Sequence, residues 1–283
     1  WDEPFADPSK IPTLILAKIT KEKVKVSLSG DGGDEIFGGY SRYKQAFYLK
    51  KIFNNYAQLV LKFLAITSLK GLSKMANYKF INKINRLIFL IKESNEKNYY
   101  LKFLWFSSEY RKIIQENLNP LNNSEIIKGM DYISMMNYDL IDYLPGNILA
   151  KVDRATMFYG LEARCPFLDH ELIEWVLGLD DNFRFDKFNN KNMLKNILKD
   201  FKIPEDIYKK KKKGFSIPLS IWLRTHLKTW AERYIICDDC FKHNLINKKI
   251  IRQFWFEHQS MKKEWYRELW LVISFNAWYL ENF

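Results

Sequence analysis

The sequence predicts a mainly α-helical chain with one strand, or a few, near its start: the C-terminal portion of an α/β domain followed by a helical bundle. Residues 23–28 (KVKVSL) alternate Lys with Val and then Leu, the period-two pattern of a short strand. Gly30, Gly32 and Gly33 follow and stop that pattern. From Ile36 onward apolar residues recur three and four apart, the spacing that gives a helix one apolar face.

Taken along the chain, helical spacing covers residues 43–64, 80–91, 99–115, 132–158 and 191–201, then 217–234, 248–258 and 264–279. Breaks are expected at Gly71, at residues 119–123, at Pro145 with Gly146, at Pro166, at residues 180–182, at Pro204 and at Gly214, where turn-forming residues fall. A strand, a glycine turn and a helix make half of an α/β unit, and one strand cannot form a sheet. Partner strands are therefore expected from residues upstream of Trp1.

A chain of 283 residues can bury a core without a covalent staple. With 47% hydrophobic residues, most of its length must pack, which excludes a disordered protein. Cys165, Cys237 and Cys240 are an odd number, which speaks against an extracellular disulfide framework and for a reducing compartment; a cytoplasmic location is expected. Lys, Asn or Glu interrupts every apolar run before the roughly 18 residues that a bilayer crossing needs, so no membrane association is expected. The net charge of +12 can indicate nucleic acid, anionic lipid or an anionic small substrate. Lys, Asn and Ile are abundant together, a bias that base composition alone produces, and no nucleic-acid partner is expected.

Residues 27–40 (SLSGDGGDEIFGGY) carry the strongest chemical signal. The glycines let backbone approach a ligand, and the helix that follows offers free N–H groups, which suits a phosphate. Asp31, Asp34 and Glu35 would repel a bare anion, so the arrangement makes better sense with Mg²⁺ between carboxylate and phosphate. The competing reading is an ordinary Asp helix cap, worth about 1 kcal/mol. The EF-hand spacing of oxygen ligands is absent, which removes calcium. Residues 209–213 are five adjacent lysines, a solvated surface in most proteins; Gly214 and Phe215 after them suit a mobile loop that delivers a cation to a pocket. Cys237-x-x-Cys240 with His243 offers too few ligands for structural zinc and lies outside the strand-to-helix setting of a redox motif. The incidental reading is preferred.

The segment at 27–40, preceded by WDEPFADPSKIPT at residues 1–13, resembles the second nucleotide loop of asparagine synthetases and their relatives in the ATP-pyrophosphatase superfamily. Residues 149–169 (LAKVDRATMFYGLEARCPFLD), 212–218 (KKGFSIP) and 265–278 (WYRELWLVISFNAW) are similar to later segments of the same family, in the same order. The resemblance implies that residues 1–283 are the C-terminal part of the synthetase domain, with the strand and nucleotide loop in 1–40 and a helical region in 41–283. It implies ATP and Mg²⁺ as cofactors, with Ser29 and Gly30 at the adenylate and Asp34 as metal ligand. Asp31 would assist acyl-adenylate formation and take a proton from ammonia, and Lys212 would neutralise departing pyrophosphate. Asp153, Arg154, Glu162 and Arg164 would support the acceptor site, or else form ordinary ion pairs. The implied partners are aspartate or a related carboxylate, ammonia released from glutamine, the upstream part of the same polypeptide, and a second copy in a homodimer. The first nucleotide loop (Ser-Gly-Gly-x-Asp-Ser) and the N-terminal glutaminase are absent from these residues, so the chain alone is expected to lack glutaminase activity and to bind ATP weakly. A relative that amidates a sugar acid or peptide carboxylate is one alternative, and a non-enzymatic basic helical module that binds nucleic acid or anionic surfaces is another.

Overall fold

The computed structural model describes residues 1–45, 113–114, 132–186, 189–208 and 214–283. The helices expected over 80–91, over most of 43–64 and 99–115, the breaks at Gly71 and 119–123, and the lysine run 209–213 lie outside these residues.

The first element is α1 (Lys10–Lys21), a helix outside the set expected from apolar spacing. Pro12 occupies its first turn, where a missing N–H costs nothing, and Lys18 and Lys21 face the negative end of its dipole. It packs on α4 (Ala150–Met157). The strand β1 is Val26–Leu28, the C-terminal half of the expected run. One turn of helix, α2 (Gly33–Ile36), follows the glycines.

Residues 132–158 depart from expectation in one respect. Helix α3 (Tyr132–Tyr138) does not break at Pro145 and Gly146 but passes through a π-helical segment, Asp139–Leu149, straight into α4. A wider helix tolerates the absent N–H and the bulk of the proline ring, so the break becomes a change of pitch. Gly160, at φ 65°, then ends α4, with its N–H on the Met157 carbonyl at 2.9 Å.

A partner strand for β1, expected from upstream of Trp1, is supplied within the chain by β2 (Glu162–Arg164). It pairs with β1 in parallel, Val26 against Glu162, Ser27 against Ala163 and Leu28 against Arg164. Glu-Ala-Arg has little strand propensity and is too short to show alternation; the pairing, not the local sequence, makes it a strand. A 3₁₀ turn, Pro166–Leu168, leads to α5 (His170–Leu177), capped by Asp169, whose Oδ1 accepts from the N–H of Glu171 at 3.0 Å.

Two short helices, α6 (Asp181–Arg184) and α8 (Glu205–Tyr208), flank α7 (Asn192–Asp200), which matches the expected 191–201. The helix expected over 217–234 is divided into α9 (Leu219–Trp222) and α10 (Lys228–Ile235). The Leu227 N–H reaches back to the Trp222 carbonyl at 2.8 Å and the Thr225 hydroxyl to the Ile221 carbonyl at 2.9 Å, which closes a turn between them. Helices α11 (Lys248–Gln259) and α12 (Tyr266–Asn282) fall where the spacing places them.

Helices α10, α11 and α12 share a core that includes Ala231, Ile235, Ile251, Phe254, Leu269 and Ile273. A smaller core of Ile36, Phe37 and Val176, with Phe167, Leu168 and Leu172 against it, holds α2 beneath the sheet ends. The N-terminal segment ties the two regions together. Lys10 donates to the Phe5 carbonyl at 2.8 Å and lies 5.8 Å from the Trp270 ring, while the Trp278 indole donates to the Asp2 carbonyl at 2.8 Å. Lys151 of α4 meets Asp7 at 3.1 Å and the Ser9 hydroxyl at 2.8 Å. Among the described residues no helix is long and apolar enough to cross a membrane.

His258 is fully buried in the C-terminal core, and its Nδ1 accepts from the Trp265 N–H at 3.3 Å with Arg224 Nη2 at 3.2 Å. Burial, and then the adjacent Arg224, push its pKa down to about 4. The unfolded chain therefore takes up this proton first as the pH falls, and folding stability is lost between about pH 6.5 and about pH 4. Urea unfolding midpoints measured across that window should drop by an amount equivalent to about 2–3 kcal/mol, and His258→Gln should flatten the pH dependence while lowering stability at neutral pH.

Candidate functional site

Because β1 and β2 are parallel, both carboxyl ends open on the same side, where α/β sheets hold ligands. The Ser29 N–H donates to the Arg164 carbonyl at 2.8 Å, carrying the pairing one step past the strands. The Ser29 hydroxyl donates to Asp31 Oδ2 and accepts from the Asp31 N–H at 3.3 Å, so these two residues form one compact turn. Gly30 is exposed, and a Cβ added there would meet nothing within 4 Å. The end of β2 forms the facing wall. The Cys165 thiol lies against the Ser29 side chain, and burial, with the Asp31 charge adding to it, pushes its pKa up.

Close approach explains the glycines. Gly32 has φ 88°, and a Cβ there would stand 2.2 Å from Leu168 Cδ2; at Gly33 it would stand 3.1 Å from the Phe167 ring. The turn is thus pressed against Pro166–Leu168 with no room for side chains.

Asp34 points the other way along the turn. Lys191 Nζ lies 3.0 Å from its Oδ1, both side chains partly exposed. Lys191 has a left-handed backbone, φ 52°, and the neighbouring Asn190 amide donates to the Gly39 carbonyl at 2.8 Å. Gly39 is needed for this contact, since a Cβ there would fall 1.8 Å from Asp34 Oδ1 and 2.5 Å from Lys191 Cε. Sequence reasoning missed Lys191: a lysine at the head of a helix in a lysine-rich chain carries no pattern, and only the packing of 189–191 against the turn reveals it.

Glu35 turns inward. It is 2% exposed, the Tyr40 hydroxyl donates to its Oε1 at 2.6 Å, and burial raises its pKa. Of the four residues expected to support an acceptor site, or else to form ordinary ion pairs, three form ion pairs. Asp153 is exposed, Arg154 pairs with Asp2 of the N-terminal segment, and Glu162 pairs with Arg164 at 2.7 Å on the exposed surface of β2. Arg164 meets the turn through its backbone carbonyl. Lys212 lies outside the described residues.

Among the described residues, no three His, Cys, Asp or Glu side chains come together as a metal cluster. Cys237 is exposed and Cys240 buried, with its thiol on the Arg233 carbonyl at 3.4 Å and its pKa pushed up to about 11 by burial and then by Cys237. The acidic turn offers the carboxylates of Asp31 and Asp34, both partly exposed, just after the exposed backbone at Gly30. That donor set fits Mg²⁺ carried on a nucleotide, which takes one or two carboxylates and fills its remaining positions with phosphate oxygens and water.

In a mostly helical chain with a small parallel sheet, an open glycine turn at the carboxyl ends of the strands, bordered by carboxylates and a lysine, is an arrangement that suits a phosphorylated ligand. The chain belongs to the asparagine synthase family, whose model matches residues 1–280. It is 28% identical, over its whole length and 44% of the relative's, to asparagine synthetase [glutamine-hydrolyzing] 1 of Bacillus subtilis. A Mycobacterium tuberculosis protein provisionally given the same name is 28% identical over 98% of the chain and 42% of its own length. An amidase of Gibberella zeae is 23% identical over 77% of the chain and 36% of its own length. The chain spans less than half the length of these relatives.

Replacing Gly32 with Ala forces a left-handed backbone on a β-carbon that collides with Leu168. The variant should lose about 1–3 kcal/mol in urea unfolding. Gly30→Ala, with open space around it, should lose less than about 1 kcal/mol.

Proposed function

We propose that this chain is the C-terminal part of the synthetase domain of a glutamine-dependent asparagine synthetase, an ATP-dependent carbon–nitrogen ligase of the cytoplasm. The observation that carries the reading is the acidic glycine turn beside β2, in a chain matched to the family over residues 1–280. Residues 1–40 carry the strand and nucleotide loop and 41–283 the helical region. The remainder of an ATP-pyrophosphatase fold, with the first nucleotide loop and the glutaminase, belongs to an upstream part. Exposed apolar side chains support this. Ile15, Leu16 and Ile19 of α1, Leu28 of β1 and Phe158 beyond α4 are each more than half exposed, which a completed sheet with its own helices would cover.

In the proposed reaction the side-chain carboxylate of aspartate attacks the α-phosphorus of ATP, pyrophosphate leaves, and ammonia opens the β-aspartyl-adenylate to give asparagine and AMP. Ser29 and Gly30 hold the adenylate. Asp34 is the carboxylate for Mg²⁺, which when bound supplies positive charge to the phosphates. Lys191 keeps Asp34 aimed along the turn, and Lys212 provides charge for the leaving group. Asp31 takes the proton that attacking ammonia must lose. A second acceptor, a sugar acid or peptide carboxylate, stays in view because a relative carries the name amidase.

The test is pyrophosphate release by the full polypeptide with ATP, Mg²⁺ and ammonia, across a panel of carboxylates. Aspartate should be the preferred acceptor, and Asp31→Asn should lower kcat by about 10²–10⁴ with little change in the KM for ATP. Asp34→Asn should cost about 10²–10³ and shift the Mg²⁺ requirement upward. Equal turnover with a sugar acid would move the assignment to the alternative acceptor, and no nucleotide-dependent turnover with any carboxylate would defeat it.

A further inference from the structure

The helix that carries Asp34 and Glu35 is a single turn, too short to hold its own shape. Leu168 and Phe167 support one side of it. On the other side a chain of contacts leads away from Glu35 to a distant helix, and neither the acidic motif nor the proposed chemistry accounts for it. The Tyr40 hydroxyl donates to Glu35 Oε1 at 2.6 Å. The Arg42 guanidinium lies 3.9 Å from the centre of the Tyr40 ring and 4.6 Å from that of Tyr143. Its Nη2 and Nε donate to Asp139 Oδ2 at 2.5 and 3.1 Å, and the Tyr43 hydroxyl donates to the same oxygen at 2.6 Å. Asp139 has no exposed surface and opens the π-helical segment.

We propose that Arg42, anchored on Asp139, is a positioning residue for the acidic turn, acting through Tyr40 and Glu35 to fix the direction in which the neighbouring Asp34 presents its carboxylate. Only arginine fits the place. Its flat face serves two aromatic rings while its fork serves a carboxylate, and lysine offers a point charge without a plane. A buried carboxylate that receives three donated hydrogen bonds on one oxygen is a rigid anchor, because moving any donor away would leave charge uncompensated in a low-dielectric interior. The π segment contributes by placing Asp139 and Tyr143 together on the side that Arg42 meets; such segments recur at functional sites. The consequence for function rests on the reading of the turn as a magnesium nucleotide site, while the mechanical claim does not.

Two variants separate these claims. Arg42→Lys keeps the charge and removes the plane and the fork. Tyr40→Phe keeps the ring under Arg42 and removes only the hydroxyl that reaches Glu35. In both, backbone amide exchange over residues 33–37 should accelerate about 10-fold or more without nucleotide present, while exchange over residues 269–273 in the C-terminal core stays unchanged. The double variant should accelerate no more than the stronger single one, as members of one network do. In the full polypeptide, the Mg²⁺ concentration for half-maximal pyrophosphate release should rise about 10-fold, with the rate recovered at saturating Mg²⁺, because a misdirected carboxylate weakens the metal without removing it. Unchanged exchange at 33–37, or equal acceleration throughout the molecule, would overturn the positioning role. A wild-type polypeptide that releases no pyrophosphate would defeat the proposed function, and the exchange measurement would still decide whether Arg42 braces the turn.

Discussion

The parallel pairing of Val26 with Glu162, Ser27 with Ala163 and Leu28 with Arg164 is the constraint from which the site follows. It joins segments far apart in sequence and brings their carboxyl ends to one place, so Ser29 can continue the ladder onto Arg164 and the glycines can lie on Pro166–Leu168. A ladder of three residues is weak in isolation. It persists because elements on both sides are packed: α1 rests on α4, α4 leads into β2, and Ile36 and Phe37 fill the space beneath Phe167 and Leu168. The loop is shaped by the wall it touches as much as by its own residues.

Electrostatics at the turn follow the same logic. The chain carries a net charge of +12, yet the residues nearest its open backbone are acidic, and the cations that balance them come from elsewhere. Lys191 reaches Asp34 from the start of α7, and Arg42 crosses to Asp139 on the π segment. Lys151 of α4 holds Asp7 in the N-terminal segment. These pairs are partly or wholly withdrawn from water, where a charge left alone is costly, so each fixes a distance between elements. The exposed pairs Glu162 with Arg164 and Lys242 with Asp239 are screened by solvent and fix little.

The C-terminal core is coupled to this region through a segment with almost no regular structure. Trp1 stacks on Phe5 at 5.1 Å, Lys10 lies close to both Trp1 and Trp270, and Asp2 is held by both Trp278 and Arg154. Residues 1–13, which share the nucleotide loop's resemblance to the family, therefore have a mechanical part as well. They span from α12 to α4 and set where α4, and with it β2, stands.

The sequence by itself determined what local physics can dictate. Alternation placed β1, three-and-four spacing placed α7, α11 and α12, and Gly30, Gly32 and Gly33 with three carboxylates marked the turn, because backbone freedom and periodic burial are written in neighbouring residues. What lay beyond it was decided by contacts between distant residues. Glu162–Arg164 became a strand because β1 lay alongside, and Pro145 ended no helix because a π segment runs through it. Lys191 met Asp34, and Arg42 met Asp139, across stretches of chain that no sequence window spans. A buried ion pair or a three-residue ladder has no period and no composition; it exists only once packing has brought its two halves together.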